Sequence, residues 1–341
     1  MCQWEPLGYT NERAIMMPAG PHLLTSIGLL LRKPLLPWRF RQALDKWHQN
    51  VIRISADRRV LNTPALITGH DNLDFEMHIL LGKRHVGMSL WAIKSVLHWA
   101  GKAYTVVLHD DGSLTDEHVK IINQHLVNAK VIRRADADAL MAEKLVGCPN
   151  AYGYRFSRLG SANPNGKASV FSLKLLDFSL LSNARKILVL DSDVLFFKRP
   201  DAIIDWVNDP ADIDCLYCFE LYVPIRNARN KIIRFEQKPV VPLGFNSGLI
   251  CFERSAFDLA ALDEWLGING ELAETVYTFE QRAYNHLVKS SGKHRPLPET
   301  YSFNYNRPDS VATHFGIKPL FFKSLPRVHR ALMASSTNNY S

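Results

Sequence analysis

The residues best suited to chemistry are Asp191 and Asp193, which flank Ser192 directly after the apolar run Ile187-Leu188-Val189-Leu190. Two carboxylates at i and i+2 past a hydrophobic strand can turn toward one point, where they would repel each other and lose hydration. A hard divalent cation resolves that conflict, because oxygen ligands suit Mg²⁺ and Mn²⁺. Such an ion keeps positions open for diphosphate oxygens and serves as a Lewis acid toward a leaving phosphate. The competing reading is a pair of surface aspartates opening a turn.

Three later segments add polar groups at turns: Gly244-Phe245-Asn246-Ser247-Gly248-Leu249, Thr278-Phe279-Glu280-Gln281-Arg282 and His314-Phe315-Gly316-Ile317-Lys318-Pro319. With them, residues Lys186 to Phe196 resemble the D-x-D segment of nucleotide-sugar-dependent glycosyltransferases of the GT-A fold. Asn246-Ser247-Gly248 is similar to their N-S-G turn bordering the acceptor pocket, and Glu280-Gln281 to their acidic-Gln pair. His314 to Pro319 resembles the H-x-x-G-x-x-K-P block of the glycogenin-like retaining enzymes (family 8), in a shorter form. The order and spacing of all four agree, and the resemblance spans about residues 65–322.

The resemblance implies a metal-dependent glycosyltransferase that moves a sugar from a nucleotide-diphosphate sugar, a UDP-sugar by expectation, to an acceptor hydroxyl. Asp191 and Asp193 would hold Mn²⁺ or Mg²⁺, with His314 as third ligand. Lys318 would place its ammonium on the diphosphate, with Ser192 in the same donor-binding turn. Asp111 would contact base or ribose, and Gly112 either permits close backbone approach or completes a plain Asp-Gly turn. Arg84 and His85 would meet ribose or phosphate. Lys167 and Lys174 are further candidates. Solvated surface charge is the alternative for all four, and the preferred one for Lys174. Asn246 would hydrogen-bond acceptor or donor. In an inverting enzyme Glu280 would be the base for the acceptor hydroxyl; in a retaining one Gln281 would only stabilise oxocarbenium-like charge. Acceptor identity (sugar, lipid or protein) stays open.

These residues need elements to position them. Phe75–Leu81, Tyr104–Leu108, Ala129–Ile132 and Ile187–Leu190 read as strands. Ser89–Trp99, Thr115–Leu126, Ala168–Leu181, Ala256–Leu266 and Phe279–Val288 read as helices. A polar loop, Tyr152–Lys167, precedes the helix that leads to the D-x-D strand, and the end of the chain reads as loop-rich. Such alternation predicts an α/β fold, a GT-A-like, mostly parallel sheet flanked by helices, with ligands at the carboxyl ends of its strands. Residues 1–60 read as a partly helical extension, 61–330 as the catalytic domain and 331–341 as a polar tail.

Composition sets the outer bounds. The 341 residues carry 41 Lys+Arg and 33 Asp+Glu, a formal charge of +8, with 47% hydrophobic residues. That excludes disordered, collagen-like and disulfide-stapled chains. Five cysteines fit a reducing compartment, and Cys215 and Cys218 read as buried strand rather than zinc ligands. Basic residues are scattered, without a stripe interleaved with aromatics, so no nucleic-acid partner is expected. The densest group, Arg32-Lys33 to Arg41, reads either as a membrane- or partner-facing segment or as a solvated extension. With neither a signal-peptide pattern nor a spanning segment read in the sequence, a cytoplasmic enzyme, peripheral to a membrane through that segment, is the expectation.

The D-x-D also fits the nucleophile motif of haloacid-dehalogenase-like phosphatases. Against that stand the long β/α stretch before it and the lack of a clear downstream Asp-Asp pair. A non-catalytic nucleotide- or carbohydrate-binding module is the third reading.

Overall fold

A computed structural model describes residues 38–70, 73–156, 168–209, 213–220, 222–226, 232–237, 244–273, 276 and 278–338. The candidate Lys167 and residues 32–37 of the basic segment lie outside them. The chain divides into two units, Met1–Ile52 and Arg53–Ser341. The described part of the first is helical, the opening of α1 (Trp38–Leu61). None of the described helices is long and apolar enough to cross a membrane.

The second unit is built on a seven-stranded sheet. Its strands in chain order are β1 (Phe75–Leu81), β2 (Thr105–Asp110), β3 (Lys130–Ile132) and β4 (Lys186–Leu190). A short β5 (Val194–Phe196) belongs to a separate sheet, and the main one continues with β6 (Cys215–Phe219), β7 (Phe245–Glu253) and β8 (His294–Pro296). The spatial order is β8-β6-β7-β4-β1-β2-β3. Only β7 runs against the rest. This is the mostly parallel, helix-flanked architecture the alternation implies.

The apolar run of β4 is continuous because both faces of the strand are covered. Leu188 and Leu190 enter one core, with α2 (Val86–Ala100). Ile187 and Val189 enter the other, with α6 (Ala168–Leu180), α8 (Leu259–Asn269) and α9 (Phe279–Ser291). Each such aliphatic side chain contributes roughly 1.5–3 kcal/mol by its burial, so the strand end that carries Asp191 is firmly anchored. Other elements are α3 (Asp116–His125), α4 (Arg134–Lys144), α5 (Pro149–Phe156) and α7 (Asp201–Asn208). Thr115 and His118 form a capping box at the start of α3. Helix α5 occupies the beginning of the stretch expected as polar loop.

The end of the described chain departs from expectation. Instead of loops, strands β9 (Tyr301–Phe303) and β10 (Ala312–His314) lead into the 21-residue helix α10 (Lys318–Asn338). Two prolines mask this helix in the sequence. Pro319 sits in the first turn, where its missing N–H costs nothing, and Pro326 lies inside. Phe321, Leu325, Val328 and Leu332 recur at helical spacing and are buried in the α2 core, which holds the helix together across Pro326.

Candidate active site

The strand order reverses at β1: β2 and β3 lie to one side of it, and β4 to the other. In open α/β sheets that is where a crevice forms beyond the carboxyl ends. The segments after β1, β2 and β4 all carry sequence-predicted residues. Arg84 and His85 are exposed in the turn between β1 and α2. Asp111 follows β2, and its N–H donates to the Leu81 carbonyl at 3.0 Å. A Cβ on Gly82 would lie 2.0 Å from the Asp111 carboxylate, so these two turns touch closely. Asp111 accepts bonds from the Ser113 N–H and hydroxyl, at 2.9 and 2.6 Å. Gly112 has φ +96°, a conformation the turn requires and L side chains rarely adopt. His85 lies within electrostatic reach of Lys318, Asp111 and Asp193.

Asp191, half-buried Ser192 and buried Asp193 form the turn between β4 and β5. The third member of the cluster arrives by strand pairing. Strand β10 runs antiparallel to β5 with His314 opposite Val194, and the Phe315 N–H donates to the Asp193 carbonyl at 2.9 Å. The His314 Nε2 atom then lies 3.3 Å from Asp193 Oδ1 and 3.7 Å from Asp191 Oδ2. One ligand atom from each of Asp191, Asp193 and His314 lies within 4.8 Å of the others.

Asn246 orients the imidazole. Its Oδ1 accepts the Gly248 N–H at 2.9 Å, which fixes the carboxamide, and the same oxygen lies 2.7 Å from His314 Nδ1. The Nδ1 atom must therefore donate, leaving Nε2 to face the aspartates. This is the tautomer in which a histidine can ligate a metal while a second group holds its ring. A Cβ on Gly248 would fall 2.2 Å from His314 Nδ1, so only glycine leaves room for the ring. The Asp191 N–H donates to the Gly248 carbonyl at 2.9 Å, tying both motifs together.

Cations surround the carboxylates. Lys318, at the start of α10, bonds to Asp193 Oδ2. Burial opposes ionisation of Asp193, yet His314 and Lys318 together hold it well below the usual carboxylate range. Burial likewise opposes charge on His314, and Asp193 overrides it, so the imidazole's pKa is raised. Two carboxylates gathered around one imidazole, with its ring held from behind, have the donor set of a site for a divalent cation.

Lys174 requires a correction. It is not a solvated surface charge but 2% exposed, on α6 beneath the turn. Its ammonium lies 2.7 Å from Asp191 Oδ1, 3.3 Å from Glu280 Oε1 and 3.5 Å from the Ser247 hydroxyl. Burial disfavours its charge, but the two carboxylates more than compensate and raise its pKa. The physical reason is that α6 is apolar all round and packs into the core, so any lysine on it is carried inside.

Glu280 is buried at the start of α9 and accepts the Ser247 hydroxyl at 3.0 Å. Burial raises its pKa, and Lys174 partly offsets this. The structure thus places Glu280 in the floor of the site, bound to Lys174 and Ser247. Gln281 accepts the Ser247 N–H at 3.4 Å. Glu220, just past β6, escaped the sequence reading because it belongs to no recognisable motif. Its Oε1 accepts the Asn246 Nδ2 at 2.6 Å, and burial raises its pKa.

No family model matches the chain, and a search of curated proteins finds no match. Among solved structures, the chain is similar to mouse xyloside xylosyltransferase 1 in its apo form: TM-score 0.46, 13% identity, 72% of this chain and 98% of that one covered. It is also similar to the galactosyltransferase LgtC in complex with donor and acceptor sugar analogues, with TM-score 0.48, 12% identity and coverage of 76% and 95%. A third is core-mannan synthase A from Aspergillus fumigatus in its Mn/GDP form, with TM-score 0.42, 11% identity and coverage of 66% and 73%. At this level of similarity the functional reading rests on the site's own geometry.

Proposed function

We propose that this protein is a metal-dependent glycosyltransferase using a nucleotide-diphosphate sugar, a UDP-sugar by preference, with Mn²⁺ or Mg²⁺. The observation that carries the reading is the His314 imidazole, locked by Asn246 and turned onto the two D-x-D carboxylates. Asp191, Asp193 and His314 would hold the cation. When bound, it supplies Lewis acidity that stabilises charge on the departing diphosphate. Three side chains on one ion leave coordination positions for phosphate oxygens.

The chain's own residues supply the rest. Lys318 has a flexible stem long enough to exchange Asp193 for a diphosphate oxygen, adding a point charge to the leaving group. Lys174 keeps Asp191 and Glu280 from repelling each other beneath the sugar. Asp111 and the exposed Arg84 and His85, at the ends of β1 and β2, line the expected nucleoside side of the crevice. Asn246 and Glu220 border the opposite side, at the amino end of β7. The acceptor hydroxyl is expected there.

The phosphatase alternative is not favoured. Strand β4 is flanked by the antiparallel β7, and the group completing the acidic cluster is an imidazole from β10. The reading is tested by incubating nucleotide sugars with the protein and Mn²⁺ and following donor hydrolysis, with the product anomer identified by NMR. Asp191→Asn should reduce metal-dependent turnover by about 10²–10³-fold while the protein still folds, checked by circular dichroism. Wild-type turnover in that variant would remove the cluster from the reaction.

A further inference from the structure

A cavity that shares no residue with the metal cluster lies between the Asn304–Asn306 turn and α10. Its volume is about 430 Å³, in the range of small-molecule sites. The walls include Asn304, Asn306, Lys323, Arg327 and Arg330. Lys323, Arg327 and Arg330 recur at i, i+4 and i+7 on α10, which puts them on one helix face. None of the three forms an ion pair among the described residues. The Arg330 Nε donates to the Pro326 carbonyl of its own helix, and the Arg327 guanidinium lies 4.7 Å above the centroid of the Phe197 ring. Burial lowers the pKa of Arg327, with no anion there to offset the cost.

A residue of the cavity wall also carries a polar atom without a partner. Asn306 donates from Nδ2 to the Ser324 hydroxyl at 3.4 Å, while its buried Oδ1 accepts nothing. A buried carbonyl oxygen left unpaired costs about 1–3 kcal/mol, so it marks a place where a donor would be gained. Three cations on one wall without an ion-pair partner among the described residues, of which Lys323 and Arg330 are exposed, suit an anion with several acceptor oxygens, and the unpaired Oδ1 suits a hydroxyl. We propose that this cavity binds a hydroxyl-bearing phosphate ester, at a site separate from the metal cluster. The ligand's phosphate meets Lys323, Arg327 and Arg330, and its hydroxyl donates to Asn306.

Two sources share this chemistry, a soluble polyol phosphate and the phosphoglycerol headgroup of a lipid. The test uses the full chain in EDTA, which keeps metal out of the other site, at constant ionic strength. Glycerol 3-phosphate is titrated by calorimetry, and vesicles of phosphatidylcholine with phosphatidylglycerol are followed by flotation. Saturable binding of either probe is expected, reduced at least about tenfold in Lys323→Glu/Arg330→Glu. A control, Lys120→Glu/Lys144→Glu, makes the same charge change on exposed positions of α3 and α4 and should bind like wild type. Asn306→Leu should weaken binding while Lys323, Arg327 and Arg330 stay intact. Binding of glycerol 3-phosphate identifies a soluble ester, and binding of vesicles alone a headgroup. No binding in either arm, or equal weakening in both charge-reversed pairs, overturns the proposal.

Discussion

The two ends of strand β4 solve the same problem in opposite ways. At the amino end, Lys186 is fully buried and gives its ammonium to the carbonyls that close α7. It bonds to Trp206 O, lies 3.4 Å from Val207 O and 2.5 Å from Asp209 O, and sits 4.7 Å above the centroid of the Trp206 ring. A cation there answers the negative end of the helix dipole. At the carboxyl end, Lys174 is equally enclosed but bonds to the carboxylates of Asp191 and Glu280. Burial lowers the pKa of Lys186, whose nearest partners are carbonyls with the Glu253 carboxylate farther out at 3.9 Å, whereas at Lys174 two closer carboxylates override burial and raise it. One end is framework and the other is poised electrostatics. The residue type alone does not separate them; the partner's charge does.

The sharpest way to break this contrast is Lys174→Met. Removing one partner from a buried ionic group costs about 3–5 kcal/mol, because the carboxylates stay behind uncompensated. Adding Glu280→Gln should recover part of that loss, measurable as a coupling in urea unfolding. Additive losses would mean that the two groups do not share charge. Lys186→Met should cost less, about 1–3 kcal/mol, and leave Mn²⁺ affinity unchanged. A change in metal binding would dissolve the distinction between the two ends.

Asn246→Ala frees the His314 ring and should weaken Mn²⁺ binding roughly 10- to 100-fold. An unchanged isotherm would show that the imidazole needs no such support. The smallest effect concerns Lys94, a third enclosed lysine, 0% exposed. It donates to Thr63 Oγ1 at 2.8 Å and Pro64 O at 2.6 Å, and faces His125 Nδ1 at 3.1 Å. Burial lowers its pKa from 10.5 to about 8. Between those values the unfolded chain binds more protons, so stability should rise with pH from about 8 to 10.5, and below pH 8 the full cost of burying the charge is present. Lys94→Met should flatten that alkaline rise; an identical profile would show that the neutral partners fully support the charge.

Much of the frame was legible because its cause is local. Apolar runs ended at turns, so Phe75–Leu81 and Ile187–Leu190 announced strands, and the D-x-D followed from its place after one of them. Lys174 was harder. Two of its partners, Ser247 and Glu280, stand far along the chain, and a single lysine in a helix looks like a surface residue. A signal was nevertheless present: Ala168–Leu180 has no polar face, and a helix apolar all round is buried, so its few charged residues must be paired. Asp177 on the same helix follows that rule, with bonds of 2.6 and 2.8 Å from Arg155. Glu220 offered no such hint, since only the antiparallel pairing of β6 and β7 brings it to Asn246. The final helix was hidden by Pro326, whose local cost is outweighed by tertiary packing that no window of sequence reveals.

The pairing of β10 with β5 has one more result. Asp193 and Lys318 stand 125 positions apart, and His314 reaches the aspartates only after the last strand has docked. A chain cut before Ala312 would keep both carboxylates yet offer an ion half a seat. Cation affinity is therefore a gauge of whether assembly has finished, and whatever grips both shores of the gap also rivets the final strand and helix to the body.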